Sequence, residues 1–405
     1  MTNCTIIGIS DRREQWFPPE VLDVIGRGFV FSGGKRHHEI MMSFLPEKHT
    51  WIDITVPIAD VFKKYEQHED IVIFASGDPL FYGFAATVKR ECPDCKMTVY
   101  PSFNSLQMLA HRINMPYQDM RCVSLTGRPW NQLDEALIRG ERLIGCLTDH
   151  NKTPNQIWQR MADYGYTNYR MFVGEKLGNE NDEQISEYQE GTDYSTPNCI
   201  ILERTSERII PFGIPDEQFE LLNGREKMIT KWPIRLATLS VLGLQNKQSL
   251  WDIGFCTGSI SIEAKLRFPW LNITAFEIRE EGHQLMETNS RRFGTPGINA
   301  IIADFLNADI SQLTPPDAVF IGGHGGKMSE IFAKAKSVLK TGGCIVFNSV
   351  SEHSKQLFIE AAEQNGMKWQ ICQTIQTNDN NPICILKAES PRAESILKAE
   401  SQIGI

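Results

Sequence analysis

At 405 residues the chain is long enough for two or three domains, each with its own core. Its composition, 41% hydrophobic and 22% charged with no apolar run of transmembrane length, argues against a membrane protein and makes a cytoplasmic protein the default expectation. The formal net charge of −9 argues against broad nucleic-acid binding, which requires a basic surface.

The first half of the chain alternates strand-like and helical patterns, which is typical of α/β proteins. One helix is expected to begin at Pro154, with Thr153 as its capping residue. Cys92 and Cys95 form a CxxC pair without a second pair at zinc-binding spacing, so we favour a turn over a metal or redox site there and expect no metal. Strand-like runs lie at Cys4–Ile9, Phe29–Ser32, Asp70–Ala75, Met97–Tyr100, Arg121–Ser124, Arg142–Leu147 and Tyr169–Val173.

Residues 206–224 interrupt this alternation with charged residues, prolines and glycines, and we interpret them as a linker between domains at residues 1–205 and 225–388. Thr230 is expected to cap the helix that follows. Strands and helices then alternate again, which predicts a mostly parallel sheet covered on both faces. The hexapeptide at Ile385–Ser390 recurs at Ile396–Ser401, and we interpret residues 389–405 as a tail outside the fold.

One stretch of the second half has the order of a nucleotide-binding βαβ unit. An apolar strand, Ser249–Ile253, leads into a turn between Gly254 and Gly258, a helical pattern follows, and a second apolar run ends at Glu277. Glycines let the backbone approach a ligand closely, and the acid can accept hydrogen bonds from both ribose hydroxyls. The alternative, in which the glycines only turn a strand into a helix, stays open.

The pattern Asp252-x-Gly254-x-x-x-Gly258 resembles the first motif of class I S-adenosylmethionine (SAM) methyltransferases, although Cys256 stands where that family usually has another glycine. The resemblance implies that Asp252 and the loop backbone hold the methionine part of SAM, that Glu277 holds the ribose and that Asp304 lies at the adenine. The implied cofactor-binding residues of this half are Thr230, Asp252, Gly254, Phe255, Cys256, Thr257, Gly258, Glu277, Asp304, Gly322 and Gly323.

The stretch Ala75–Gly83, with the sequence ASGDPLFYG, resembles the SAM loop of the tetrapyrrole methylases, the class III methyltransferases of corrin and sirohaem synthesis. That family's N-terminal Gly-x-Gly-Pro-Gly loop is replaced here by residues 8–12, GISDR. Further pieces follow in the family's order at Pro101–Ser105, Tyr117–Asp119, Ser124–Arg128, Leu147–Asp149, Thr153-Pro154 and Gly174–Gly178. The cofactor-binding residues that this resemblance implies are Gly77, Asp78, Tyr82, Ser105 and Thr153.

A class III module followed by a class I module resembles a family of bifunctional methyltransferases of cobalamin biosynthesis. The resemblance implies SAM-dependent methylation of a corrin precursor, precorrin-6B or its cobalt form, at carbons 5 and 15, with decarboxylation of the ring C acetate. We also expect a homo-oligomer, and no catalytic acid stands out. The many carboxylates of such a tetrapyrrole call for basic partners, and the candidates are Lys35, Arg36, His37, His38, Arg128, Lys231, Arg235 and His324.

Two other classes of function stay open. One is an RNA or protein methyltransferase whose N-terminal half recognises the substrate, although the acidic composition counts against it. The other is a non-catalytic carrier of corrin intermediates, whose SAM sites have been lost at Cys256 and at the altered N-terminal loop. The fold expected in each case is α/β, a class III tetrapyrrole-methylase fold followed by a class I Rossmann-like domain.

Overall fold

The computed structural model describes residues 2–225, 227–376 and 382–391. The described chain divides into two compact units. The first contains residues through Pro129, Glu141–Gln159 and Asn168–Ser206, and the second contains Trp130–Gly140, Arg160–Thr167 and the described residues from Glu207 onward. Most of the expected tail, residues 392–405 with the second hexapeptide copy, lies outside the described residues.

The first unit begins with a five-stranded sheet in the order β3-β2-β4-β1-β5, in which all neighbours are parallel. A parallel sheet is covered on both faces, and this explains why its central strands are continuous apolar runs. The elements in chain order are β1 (Asn3–Ile9), α1 (Pro19–Arg27), β2 (Val30–Gly33), α2 (Lys35–Met41), β3 (Thr50–Asp53), α3 (Ile58–Tyr65), β4 (Asp70–Ser76), α4 (Phe84–Glu91) and β5 (Lys96–Tyr100).

A second five-stranded sheet follows in the order β6-β7-β10-β8-β9, with β6 and β7 parallel and the other neighbours antiparallel. The sequence did not predict β9 or β10. The elements are α5 (Ser105–Arg112), β6 (Arg121–Ser124), α6 (Asn131–Arg139), β7 (Leu143–Leu147), α7 (Pro154–Asp163), β8 (Tyr169–Glu175), β9 (Gln184–Glu187) and β10 (Asn198–Arg204).

Two local expectations in this half have different outcomes. The capping role of Thr153 is confirmed, because its Oγ1 accepts a hydrogen bond from the Gln156 N–H at 3.4 Å. Cys92 and Cys95, which the sequence placed in an unlinked turn, are joined by a disulfide between α4 and β5. The turn itself brings them together, since the Cys95 N–H donates to the Cys92 carbonyl at 3.1 Å.

The second unit is built on a seven-stranded sheet in the order β13-β12-β11-β14-β15-β17-β16, of which the first five strands are parallel. The last two form an antiparallel hairpin that the sequence did not predict. The elements are α8 (Trp232–Leu242), β11 (Ser249–Ile253), α9 (Ser259–Arg267), β12 (Asn272–Glu277), α10 (Glu281–Phe293), β13 (Ile298–Ile302), β14 (Ala318–Ile321), α11 (Met328–Val338), β15 (Cys344–Ser349), α12 (Glu352–Gln364), β16 (Lys368–Ile375) and β17 (Ile383–Glu389).

Helices cover both faces of this sheet, as the sequence predicts. On one face Trp251 and Phe276 pack in a cluster with Phe332 and Phe358 of α11 and α12. On the other face the strands pack against apolar side chains of α8 and α9, such as Leu239. Since β12 and β13 extend from one side of β11 while β14 and β15 lie on the other, the strand order reverses between β11 and β14. The carboxyl ends of these strands therefore border the crevice where open α/β sheets bind ligands.

The segment that the sequence assigns to a linker is packed within the second unit from Glu207 onward, and Ile214 and Phe219 are buried. The expectation that Thr230 caps α8 is wrong, because Asp216 of this segment takes that role. The Asp216 Oδ1 accepts the Trp232 N–H at 3.0 Å, so a side chain sixteen positions earlier satisfies the start of α8 in place of Thr230. Among the described helices, none combines the length and the apolar character needed to cross a lipid bilayer.

A substitution at Gly8 of β1 tests how tightly the first sheet is packed. A Cβ there would collide with the Gly77 carbonyl and lie 2.6 Å from the Ser102 N, so Gly8→Ala should lower the free energy of unfolding by about 2–4 kcal/mol. Gly26 in α1 is the matched control because its Cβ would meet nothing within 4 Å, and Gly26→Ala should add about 0.5–1 kcal/mol. Urea denaturation measures both, and equal effects would contradict the packing.

Candidate active site

A cavity of about 950 Å³ opens at the carboxyl ends of β11, β12 and β14. The structure brings most of the expected residues of this half together in its wall. Thr257 and Gly258 lie in the loop behind that wall, and Arg235 does not line it. The expected residues that do line it are Thr230, Lys231, Asp252, Gly254, Phe255, Cys256, Glu277, Asp304, Gly322, Gly323 and His324.

The glycine loop after β11 has little room for side chains. Gly254 has a φ of +77°, and a Cβ on it would lie 2.9 Å from the backbone N of Gly323. Gly258 has a φ of +76°, and a Cβ on it would lie 2.7 Å from the Met286 Sδ. The facing backbone leaves no room for a side chain at Gly254, and the positive φ favours glycine at both positions. The loops after β11 and β14 thus touch through their backbones.

Cys256 adopts a φ of +51°, the left-handed conformation that a glycine would adopt without strain. Its backbone N–H donates to the Glu277 Oε2 at 2.9 Å, and this bond holds the loop in that conformation. A single non-glycine residue in this region costs about 1–2 kcal/mol. The departure from the family's glycine thus leaves the loop geometry in place at a local energetic cost.

Glu277 is buried at the end of β12 and has a second partner on the other carboxylate oxygen. Its Oε1 accepts hydrogen bonds from the backbone N–H of Arg279 at 3.1 Å and from the Arg279 Nη1 at 2.9 Å. A ligand diol at this carboxylate has to share it with Arg279, whose side chain is partly exposed. The sequence missed both the Arg279 pairing and the bracing of Cys256, because neither leaves a spacing signal.

Asp252 is fully buried in the middle of the sheet, and only half of its carboxylate has a partner. Its Oδ2 accepts a hydrogen bond from the Ser261 hydroxyl at 2.7 Å, whereas its Oδ1 has none among the described residues. Burial raises its pKa from 3.8 to about 7; the Ser261 bond opposes the rise and the Glu277 charge adds to it. A buried carboxylate oxygen without a donor is costly, so the site favours a ligand that brings an ammonium group.

Two further expected residues, Asp304 and His324, line the same cavity. Hydrogen bonding from the Leu306 N–H and the nearby Lys327 ammonium lower the pKa of Asp304, which stays an ionised acceptor. The His324 Nδ1 accepts the Gly326 N–H at 3.2 Å, which leaves the imidazole proton on Nε2. Burial and the neighbouring His353 lower the pKa of His324, so it is a neutral donor at pH 7.

Arg235 has a position that contradicts the expectation of a substrate contact. Its side chain is fully buried, and its Nε donates to the Glu263 carboxylate. Its Nη1 donates to the Thr230 carbonyl at 2.9 Å, which fixes the backbone of a residue in the cavity wall. A buried guanidinium needs such partners, and the sequence alone does not distinguish this case from an exposed ligand contact. Arg235 supports the cavity from behind.

A second cavity, of about 490 Å³, lies in the first unit and includes Gly77, Tyr82 and Ser105 in its wall. Gly77 has a φ of +64°, and a Cβ on it would lie 3.0 Å from the Asn104 Cα. Five expected residues of this half do not line this cavity. Asp78 accepts the Leu80 N–H at 2.9 Å, Thr153 caps α7, and Arg128 stacks on the Tyr82 ring at 5.1 Å. Lys35 and His38 also lie outside its wall, whereas Arg36 and His37 line it.

The sheet order of the second unit, the glycine loop at its crevice and the two acids beside it define a class I methyltransferase type of domain. Two family models match the chain. Residues 3–190 match the tetrapyrrole (corrin/porphyrin) methylases, and residues 222–393 match the precorrin methyltransferase domain.

Curated relatives extend these matches. The precorrin-6Y C(5,15)-methyltransferase (decarboxylating) of Sinorhizobium sp is 29% identical over 366 residues, which are 88% of this chain and 86% of the relative. A cobalt-precorrin-6B C(15)-methyltransferase (decarboxylating) of Salmonella typhimurium is 31% identical over 168 residues, 42% of this chain and 85% of the relative. A cobalt-precorrin-7 C(5)-methyltransferase of the same organism is 26% identical over 179 residues, 44% of this chain and 87% of the relative.

The chain belongs to the family of the precorrin-6Y C5,15-methyltransferases (decarboxylating) and is a methyltransferase. Both the two-module architecture and the family that the sequence motifs resemble are thereby confirmed. The roles of the individual site residues stay predictions.

The raised pKa of Asp252 predicts that the stability of the fold depends on pH. A carboxyl whose pKa is raised by folding ionises less readily in the folded than in the unfolded chain, so its contribution to the free energy of unfolding falls as the pH rises from about 4 to about 7. Asp252→Asn keeps an acceptor for Ser261 but cannot ionise. The variant should therefore gain on the wild type by up to about 4 kcal/mol over this range, at about 1.4 kcal/mol per pKa unit. Urea denaturation at several pH values tests this, and parallel curves would contradict it.

Proposed function

We propose that the chain uses SAM to methylate a corrin precursor, precorrin-6B or its cobalt form, at carbons 5 and 15, and that it removes the ring C acetate carboxyl as carbon dioxide. Family membership supports the reaction class. The observation that carries the cofactor assignment is the Oδ1 of Asp252, which lies buried beside the glycine loop and next to Glu277 and has no hydrogen-bond partner in the part of the chain that the structure describes. The first unit has a glycine-turn cavity of its own, which supports a second site.

The residues of the larger cavity fit SAM. The Asp252 carboxylate would accept from the methionyl ammonium, the Glu277 carboxylate from the ribose hydroxyls, and Asp304 would lie at the adenine. Gly254 and Gly322 leave the backbone open where a Cβ would be blocked by the facing loop. When bound, SAM supplies an electrophilic methyl group to a carbon nucleophile. The residues present thus offer partners to the ammonium, the ribose and the adenine of the cofactor.

The chain's contribution to methyl transfer is mainly positioning. A transfer that cancels the sulfonium charge needs aligned reactants more than acid–base help. Lys231 and His324 lie in the wall of the same cavity, where an ammonium and a neutral imidazole N–H can hold substrate carboxylates. The Lys327 ammonium also lies in this wall, 3.3 Å from the Asp304 Oδ2, and was not predicted from the sequence.

We assign the two reactions to different units. One relative, similar over 42% of this chain, is named for carbon 15 and decarboxylation, and another, similar over 44%, is named for carbon 5. We relate the first to the second half, where the precorrin methyltransferase domain model matches, and the other to the first half, where the tetrapyrrole methylase model matches. The second unit would then methylate carbon 15 and release carbon dioxide, and the first unit would methylate carbon 5. The carrier alternative required a disrupted loop at Cys256, and the bond from its N–H to Glu277 counts against that disruption.

Two matched glycine variants of the full chain test this division. In Gly258→Val the side chain meets Met286, and in Gly77→Val it meets Asn104, and both positions also have positive φ. Gly77→Val should give a product that has gained one methyl and lost carbon dioxide. Gly258→Val should release no carbon dioxide but should still methylate that isolated product once. Mass spectrometry of the products measures the methyl gain and the loss of carbon dioxide in both variants. The reverse pattern in folded variants would refute the assignment.

A further inference from the structure

The cavity of the first unit has a polar cluster beside its glycine turn that the cofactor motif does not explain. Ser76 is the last residue of β4 and directly precedes Gly77. Its Oγ is 3.2 Å from the Arg36 Nη2, which donates to it, and 2.8 Å from the His37 Nε2. All four of these residues lie in the cavity wall.

The hydrogen bonds of His37 determine the direction in which Ser76 can act. The Gly34 N–H donates to the His37 Nδ1 at 3.3 Å, so the proton of the neutral ring is on Nε2. Burial, followed by the neighbouring Arg36, lowers the pKa of His37 to about 4 and outweighs a hydrogen bond with the Phe74 backbone that raises it, so the ring stays neutral. The Ser76 Oγ therefore accepts from both His37 and Arg36. With both lone pairs occupied, its own hydroxyl proton is left to donate into the cavity.

Arg36 has donors left for a ligand on one side only. Its Nε lies 3.3 Å from the Asp11 Oδ1, and this ion pair orients the guanidinium. The Asp11 carboxylate repels an anion from the Nε edge, whereas the Nη edge lies beside the Ser76 hydroxyl. A guanidinium edge next to a hydroxyl that can only donate is complementary to a carboxylate, whose oxygens only accept.

We propose that Arg36 and Ser76 form a carboxylate-binding subsite in the cavity of the first unit, with His37 as a positioning residue that directs the Ser76 hydroxyl. The inference rests on the proposed methylation of a corrin precursor in this unit. A carboxylate can come from the acetate and propionate chains of the tetrapyrrole or from the methionyl end of SAM. The Arg36 side chain is 46% exposed, and this rim position suits the larger ligand.

Steady-state methylation of carbon 5 by the full chain tests the subsite, with the C15-methylated, decarboxylated precursor as the substrate. Arg36→Met should raise the KM for this tetrapyrrole by about 10–100-fold and Ser76→Ala by about 3–10-fold, the range for loss of charge-assisted hydrogen bonds. The Kd for SAM should stay within about twofold of the wild-type value. Arg27→Met is the matched control, since its side chain is 81% exposed and lies outside the cavity wall.

The variant His37→Phe tests whether His37 directs the Ser76 hydroxyl or only fills space beside it. If His37 acts through Ser76, the double variant His37→Phe/Ser76→Ala should raise the KM no more than Ser76→Ala alone. Additive effects on the KM would overturn the positioning role.

The experiment distinguishes the two sources of the carboxylate, and it separates failure of the subsite from failure of the proposed function. A rise in the Kd for SAM with an unchanged tetrapyrrole KM would support the subsite and assign the carboxylate to the cofactor. Arg36→Met and Ser76→Ala enzymes with both constants at the level of Arg27→Met would overturn the subsite alone. A wild-type enzyme that transfers no methyl to carbon 5 would overturn the proposed function, and the subsite with it.

Discussion

The backbone contact between the loops that follow β11 and β14 is the constraint on which the second unit's site depends. A Cβ on Gly254 would lie 2.9 Å from the Gly323 N, and one on Gly322 would lie 2.7 Å from the Gly254 carbonyl. Only glycines let these loops meet at the point where the strand order reverses. Asp252 and Glu277 lie near the ends of the adjacent strands β11 and β12, and both line the ligand cavity that borders these loops.

Cys256 shows how such a loop tolerates a departure from its usual sequence. The residue stays in the left-handed conformation because its N–H bonds to the Glu277 carboxylate, which β12 holds in a buried position. The same carboxylate is the expected partner of the ribose. Its bonding capacity is therefore divided between the loop, Arg279 and a ligand, and any change at Glu277 acts on loop geometry as well as on ligand contact.

The sequence predicted the elements that consist of continuous buried apolar runs. The strands from Ser249 and from Asn272 are buried apolar runs, and their order with the glycines was sufficient to predict the crevice. The β16–β17 hairpin was missed because β16 is mostly exposed and lacks that pattern. The positions of Arg235 and of Asp216 as a helix cap depend on contacts far apart in sequence, which composition and spacing do not encode. For the same reason the sequence did not indicate the contact of Ser76, at the end of β4, with Arg36 of α2.

Each unit is proposed to have its own SAM site, and calorimetric titration of the full chain with SAM measures this number of sites. We expect two bound SAM molecules per chain. In Glu277→Ala one site should weaken by about 2–4 kcal/mol from the lost charge-assisted hydrogen bonds, while the other keeps its affinity. A wild-type chain that binds no SAM or only one, or a folded Glu277→Ala chain in which both sites keep their affinity or both weaken together, would contradict the proposal.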